Sequence, residues 1–303
     1  MLTRFTNGSI SWIDIEKPNS EEIQNLTKEY AIHPLVAKEL LSPTWRGRVD
    51  SYDNLIYLIL YFPKIYETGA RAGQEIDFVI GKNFMITAHY ESIPPLTEFA
   101  AMFEAGAILG NLPNGHHAGF LFYHLLRHLY GRTEDELDEL SADLAEIEKH
   151  IFGGEEHEMV QTISEIGRKF INFKKALRPH REMLESFEEA GIEFFGHDFS
   201  YNLRQLLGEY YKMYGTVETN IEILHELRET NKSLLSTKTS DIMKFLTVIA
   251  FIMLPLSFVT GLFGMNVEHI PIVGRPDDFW IVIGIIFTVA LTLLLFVKYK
   301  KWM

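Results

Sequence analysis

The chain of 303 residues contains no cysteine, which excludes disulfides and thiolate metal sites. It is poor in basic charge: 28 Lys and Arg stand against 41 Asp and Glu, a formal charge of −13. Nucleic-acid partners call for basic stripes and are not expected, whereas an acidic water-facing part favours cations. No phosphate-cradling glycine loop is present, so nothing points to ATP-driven pumping. No serine or acid pair stands out as catalytic, and an enzyme is not expected. No apolar run follows Arg4, so a cleaved secretory signal is not expected either. Proline is missing between Pro179 and Pro255, and charge is missing from Phe245–Phe263 and Phe279–Val297. These last two absences organise the chain.

What is present changes character along the sequence. Residues 1–130 look α/β. Asn19 can cap a helix starting at Ser20, with Glu22 completing a capping box. A short helix follows over Pro34–Leu41, with proline in its first turn. Leu55–Phe62, Glu75–Ile80 and Phe84–His89 are rich in β-branched and aromatic residues and are predicted strands. Gly81-Lys82-Asn83 suits a hairpin with glycine or asparagine at positive φ.

From about residue 117 the pattern is helical and acidic, with Leu137, Leu140, Leu144, Ile147 and Ile151 at spacings of three and four. Gly153-Gly154 ends this helix. Another is predicted from about Glu158 to Ala190, kinked at Pro179. Leu203, Leu207, Tyr210, Tyr214, Val217, Ile221 and Leu224 then form a heptad-like seam. It runs without a stop signal into the first charge-free stretch, so residues 199–263 are predicted to be one helix of about 95 Å, a stalk. Three regions result: a cytoplasmic α/β domain over 1–130, helices and stalk over 131–240, and a membrane domain over 241–303.

Each charge-free stretch makes a helix of roughly 28 Å, matched to a hydrocarbon core of about 30 Å, so two spans are predicted at about 243–263 and 279–298. Lys232, Lys238 and Lys244 precede the first, and Lys298, Lys300 and Lys301 follow the second. The connecting loop carries Glu268, Asp277 and Asp278 against Arg275. The positive-inside rule then places both termini in the cytoplasm, in a multi-pass protein of the cell (inner) membrane, with Trp280 and Trp302 as interface anchors. On the first span Met243, Thr247, Ala250, Leu254, Ser257 and Gly261 share a face that is mostly small or hydroxylated. That face fits either close helix packing or a water-lined path with apolar constrictions. A path would require several copies around an axis.

Gly264-Met265-Asn266, just after the first of two C-terminal spans, resembles the signature of the CorA magnesium transporters. Similarity extends to Phe78–Asn83, Arg178–Glu182, Thr216–Thr219 and Lys300-Lys301-Trp302. The resemblance implies an α/β cytoplasmic domain, a long helical stalk and two C-terminal transmembrane helices, assembled as a funnel-shaped homopentamer in the bilayer. It implies passage of Mg²⁺, and of Co²⁺ or Ni²⁺ as well. Gly264, Met265 and Asn266 would form the selectivity ring, and Ser240, Met243, Leu246, Ala250, Leu254, Ser257 and Gly261 would line the pore. Glu268, Asp277 and Asp278 would concentrate cations at the outer mouth. A regulatory Mg²⁺ site is implied between cytoplasmic domains, with Glu67, Glu209 and Glu229 as its candidates. The chain departs from the family pattern at Ser240, often asparagine in relatives, at Ile270-Pro271-Ile272, and at Gln205, where a regulatory aspartate would align. A zinc or proton-coupled transporter of the same superfamily is one alternative, and a non-conducting membrane-anchored scaffold is another. His124 and His128, four apart, lack a third ligand at fitting spacing, and His116-His117 falls in a loop.

Overall fold

The computed structural model describes residues 1–44, 46–64, 73–106, 117–265, 272 and 274–300. They form two compact units, Met1–Arg228 and Glu229–Met303. The first is built on a six-stranded sheet of order β1-β2-β6-β5-β4-β3. Its strands are β1 (Leu2–Asn7), β2 (Ile10–Glu16), β3 (Arg48–Ser51), β4 (Leu55–Pro63), β5 (Gly73–Gly81) and β6 (Phe84–His89). All neighbours are antiparallel except β2 and β6. The three predicted strands are present, and the structure adds β1, β2 and β3.

Helices cover both faces of this sheet, which explains why β4 is a nearly continuous apolar run and why β5 is buried along most of its length. On one face lie α1 (Ser20–Tyr30) and α2 (Pro34–Glu39). Ile23, Leu26, Val36 and Leu40 pack there against Ile13, Tyr57, Ile59, Val79 and Ile86. The capping box at Asn19 is formed as predicted: its side chain accepts from the Glu22 N–H at 2.9 Å, and Glu22 accepts from the Asn19 N–H at 3.2 Å. Against the other face lie α3 (Pro94–Glu104), α4 (Ala118–Phe152) and α6 (His180–Phe195). Trp12 meets Phe99 edge-on at 5.5 Å, Phe78 meets Phe122 at 5.3 Å, and Phe122 meets Phe187 at 4.6 Å. The Trp12 indole N–H donates to Thr87 Oγ1 at 3.0 Å, so the buried ring leaves no donor unmet.

Three details differ from expectation. No residue of Gly81-Lys82-Asn83 has positive φ. A Cβ at Gly81 would instead stand 2.1 Å from the Phe84 ring, which would have to move to admit it. The helix expected over 158–190 is two helices, α5 (Glu156–Leu177) and α6, parted at Arg178-Pro179. Proline removes an N–H and crowds the preceding turn, which breaks the ladder rather than bending it. Third, α7 (Ser200–Phe263) buries Leu203, Leu206, Tyr210, Met213, Val217, Leu224 and Leu227. The predicted seam members Leu207, Tyr214 and Ile221 are only half-buried. Apolar residues occupy both adjacent stripes, so spacing alone left the helix rotation undetermined. Four side-chain bonds join α7 to α4 in parallel register: Tyr123 to Gln205 at 2.6 Å, Arg127 to Glu209 at 2.9 Å, Lys212 to Glu134 at 2.6 Å and Asn220 to Ser141 at 2.6 Å.

His180 shows how the break at Pro179 is used. Its ring is wholly buried, donates from Nε2 to the Tyr61 carbonyl at 2.7 Å and accepts at Nδ1 from the Tyr130 hydroxyl at 2.8 Å. Both nitrogens are committed to the neutral ring, and burial pushes its pKa down to about 4 from the usual 6.5. A depressed histidine pKa gives stability that is complete above the unfolded value and is lost as pH falls towards the folded one. We expect about 3 kcal/mol of stability to disappear between pH 6.5 and pH 4 on this account. Thermal unfolding of His180→Gln, which keeps one donor and one acceptor, should show a flatter acid limb than the unsubstituted protein.

Candidate functional site

The second unit contains the C-terminal part of α7 and α8 (Asp278–Tyr299), both free of charge through their centres. Val248 and Val297 are buried, and the rings of Phe251 and Phe296 stack at 6.1 Å, so the two helices meet there. From residue 240 to its end, the covered or partly covered residues of α7 are Val248, Phe251, Ile252, Pro255, Leu256, Val259 and Phe263. At 3.6 residues per turn these fall on one stripe. Ser240, Met243, Leu246, Ala250, Leu254, Ser257 and Gly261 are all exposed and fall on a stripe about half a turn away. The mostly small face is thus not the face used to hold α8.

Hydroxyls in this region are turned onto their own backbone. Thr247 donates to the Met243 carbonyl at 2.7 Å and Thr260 to that of Ser257 at 2.9 Å. That satisfies the donors locally and leaves the oxygen lone pairs outward. Pro255 lies within the helix, on the stripe towards α8, and lacks the N–H that the Phe251 carbonyl would otherwise receive. At the helix end Gly264 donates to the Thr260 carbonyl at 3.0 Å, and a Cβ there would stand 3.2 Å from that same oxygen. Met265 is exposed. Asn266, Glu268 and the segment Ile270-Pro271 lie outside the described residues, as do Glu67, His116, Lys301 and Trp302.

Asp277 and Asp278 have different tasks. Asp278 accepts from the Gly274 N–H at 3.1 Å and from the Phe279 N–H at 2.6 Å, binding the first turn of α8 where the helix dipole favours a carboxylate. Asp277 is exposed beside it. Of the regulatory candidates, Glu209 is held by Arg127, and the neighbouring Gln205 by Tyr123. Glu229 is exposed. Sequence spacing could not reveal the Arg127–Glu209 pair, whose members are 82 positions apart. His124 and His128 both have pKa values lowered by burial, and His128 packs on Phe99. No group of three His, Asp or Glu suited to a metal comes together among the described residues.

A pair of C-terminal helices with charge-free centres, the first continuous with an α/β unit's helix and bearing a small-residue face its partner leaves open, is long and apolar enough to cross a membrane twice. Comparison gives the family. The model for the CorA-like Mg²⁺ transporter protein family matches residues 7–301. The cobalt/magnesium transport protein CorA of Thermotoga maritima is 24% identical over 301 residues, covering 97% of this chain and 83% of that one. That of Methanocaldococcus jannaschii is 23% identical, covering 98% and 93%. The complete structure of the latter's CorA magnesium transporter superposes with a TM-score of 0.84 at 22% identity, over 99% of this chain and 93% of that chain. The cytoplasmic domain of ZntB from Vibrio parahaemolyticus superposes with a TM-score of 0.61 at 14% identity, over 75% and 88%. The chain belongs to the CorA-like Mg²⁺ transporter family. It is a membrane transporter of divalent cations, and not an enzyme.

Proposed function

We propose that this chain is the subunit of a homopentameric channel that lets Mg²⁺, and also Co²⁺ and Ni²⁺, run passively into the cell. The observation carrying this reading is the opposition of faces on α7: apolar and branched residues meet α8, while Ser240, Ala250, Ser257 and Gly261 remain free. Five such faces around an axis give a narrow path with water-accepting hydroxyls and with Met243, Leu246 and Leu254 as apolar constrictions that gate by dewetting. Two exposed glycines of α7, Gly208 and Gly215, have open space where a Cβ would sit. Glycine in a helix interior costs about 1 kcal/mol each, so a close approach by a neighbouring copy gives them a use.

Mg²⁺ surrenders its waters reluctantly, so the outer site must recognise the hydrated ion. A ring of Asn266 amide oxygens accepts hydrogen bonds from those waters and binds weakly enough to release them. Glu268, Asp277 and Asp278 raise the local cation concentration without ligating. With both termini cytoplasmic, an inside-negative potential of 100 mV drives a doubly charged ion inward by about 4.6 kcal/mol. Intracellular Mg²⁺ closes the pore between subunits, with Glu67, Glu209 and Glu229 the candidate ligands; at Glu209 it must first displace Arg127.

Two measurements test this. In liposomes holding purified protein, Asn266→Ala should abolish Mg²⁺ flux while leaving the oligomer intact by size; undiminished flux contradicts the proposal. Because the chain has no cysteine, single thiols report cleanly on the two faces. Ala250→Cys and Ser257→Cys should react with a charged, water-borne thiol reagent and lose flux, and Val248→Cys and Val297→Cys should stay unmodified.

A further inference from the structure

The stripes by which α7 and α8 face each other change from apolar to basic at one end of the pair. The rings of Phe251 and Phe296 mark the contact, 6.1 Å apart. Val248 and Val297 are buried just below it, so α8 runs antiparallel to α7. Lys244 lies seven positions before Phe251, close to two full turns, and keeps that face about 10 Å further down α7. Lys300 lies four positions after Phe296, just over one turn, and keeps the facing side about 6 Å beyond it. The Lys300 N–H donates to the Phe296 carbonyl at 3.0 Å, so the helical turn carries as far as this lysine. Both steps lead to the same end. Lys298 adds a third ammonium group at that depth, and all three lysines are exposed.

This end is where hydrocarbon gives way to headgroups. Phe245–Phe263 and Phe279–Val297 carry no charge, so Lys244 and Lys298 are the first charges outside the two apolar stretches. Tyr299, 84% exposed, puts an amphipathic ring between Lys298 and Lys300, as aromatics at a membrane interface do. Phe245, 61% exposed, offers apolar surface directly above Lys244. Among the described residues negative charge falls short of positive here. Asp241 accepts from Lys244 at 3.2 Å, and the α8 C-terminus adds about half a charge. Three ammonium groups gathered beside a low-dielectric slab repel one another, and that slab screens far less than water. An anion relieves them.

We propose that this end of the α7–α8 pair is a seat for an anionic phospholipid, its phosphate between Lys244 and Lys300 and its chains rising past Phe245. Ammonium groups donate to phosphate oxygens in charge-assisted hydrogen bonds, which are stronger than neutral ones. Net charge discriminates among lipids: a zwitterionic headgroup carries its own cation beside the phosphate, so the lysines gain little from it. A bound anionic lipid ties the first span to the second. The seat requires that α7 and α8 cross a bilayer and requires nothing of ion conduction.

The test is lipid selectivity in proteoliposomes of the full chain. Electron spin resonance reads it as the fraction of spin-labelled phosphatidylglycerol, or of spin-labelled phosphatidylcholine, that the protein immobilises. Phosphatidylglycerol should be held severalfold more strongly. Lys244→Gln and Lys300→Gln should each lower that preference severalfold. Lys232→Gln, the same loss of charge about 18 Å further down α7, should leave it unchanged. Asp241→Asn, which frees Lys244, should raise it, an outcome that misfolding would not produce. Equal immobilisation of the two lipids, an effect of Lys232→Gln as large as that of Lys300→Gln, or a preference that survives joint substitution of Lys244 and Lys300 would overturn the proposal. Inorganic phosphate should reduce the preference no more than chloride at equal ionic strength; a larger reduction would show a site for free anions and overturn the lipid as occupant. None of these readouts depends on transport.

Discussion

A doubly charged ion cannot be taken into hydrocarbon. Moving even a singly charged group from water into a low-dielectric medium costs on the order of 20 kcal/mol, and the membrane potential returns about 4.6 kcal/mol to a divalent ion. A transporter of such ions must therefore keep them in water or its equivalent throughout the crossing. In the channel proposed above that requirement falls on the free stripe of α7. Its charge-free length lets the helix sit in a bilayer, and its small and hydroxylated positions leave room for water. The opposite stripe, with Val248 and Phe251, is given over to holding α8.

The same helix serves two environments. Its N-terminal part belongs to the α/β unit and is fixed there by buried Leu203, Leu206, Tyr210 and Val217 and by a row of polar bonds to α4. Its C-terminal part, Phe245–Phe263, carries no charge on any face, as suits a segment surrounded by lipid and by other helices. Within the α/β unit the buried polar groups of His180 and Trp12 close their hydrogen bonds.

Much of this was visible in the sequence where periodicity was strong. The capping box at Asn19, the strands β4 and β6, the end of α4 at Gly153 and the helix over 200–263 all follow from local pattern. The small stripe on α7 followed from spacing, and the family from Gly264-Met265-Asn266 in its place after the first span. Other features were hidden for physical reasons. The strand character of β1 and β2 depends on pairing with each other and, for β2, with β6. The rotation of α7 was ambiguous because both Leu206 and Leu207 are apolar. Pairing of Arg127 with Glu209, and of Asp77 with Tyr57 and Tyr90, arises from long-range contacts that no local spacing encodes.

Recognition of an ion still carrying its water, followed by passive movement down the electrical gradient, is the central claim. It is tested most directly by Mg²⁺ flux into liposomes holding the purified protein under an imposed potential, with cobalt hexammine, an inert mimic of the hydrated ion, added outside. The predicted result is flux that grows with inside-negative potential and stops when the mimic is present. Flux that ignores both the mimic and the potential, or that requires a proton gradient, would contradict it.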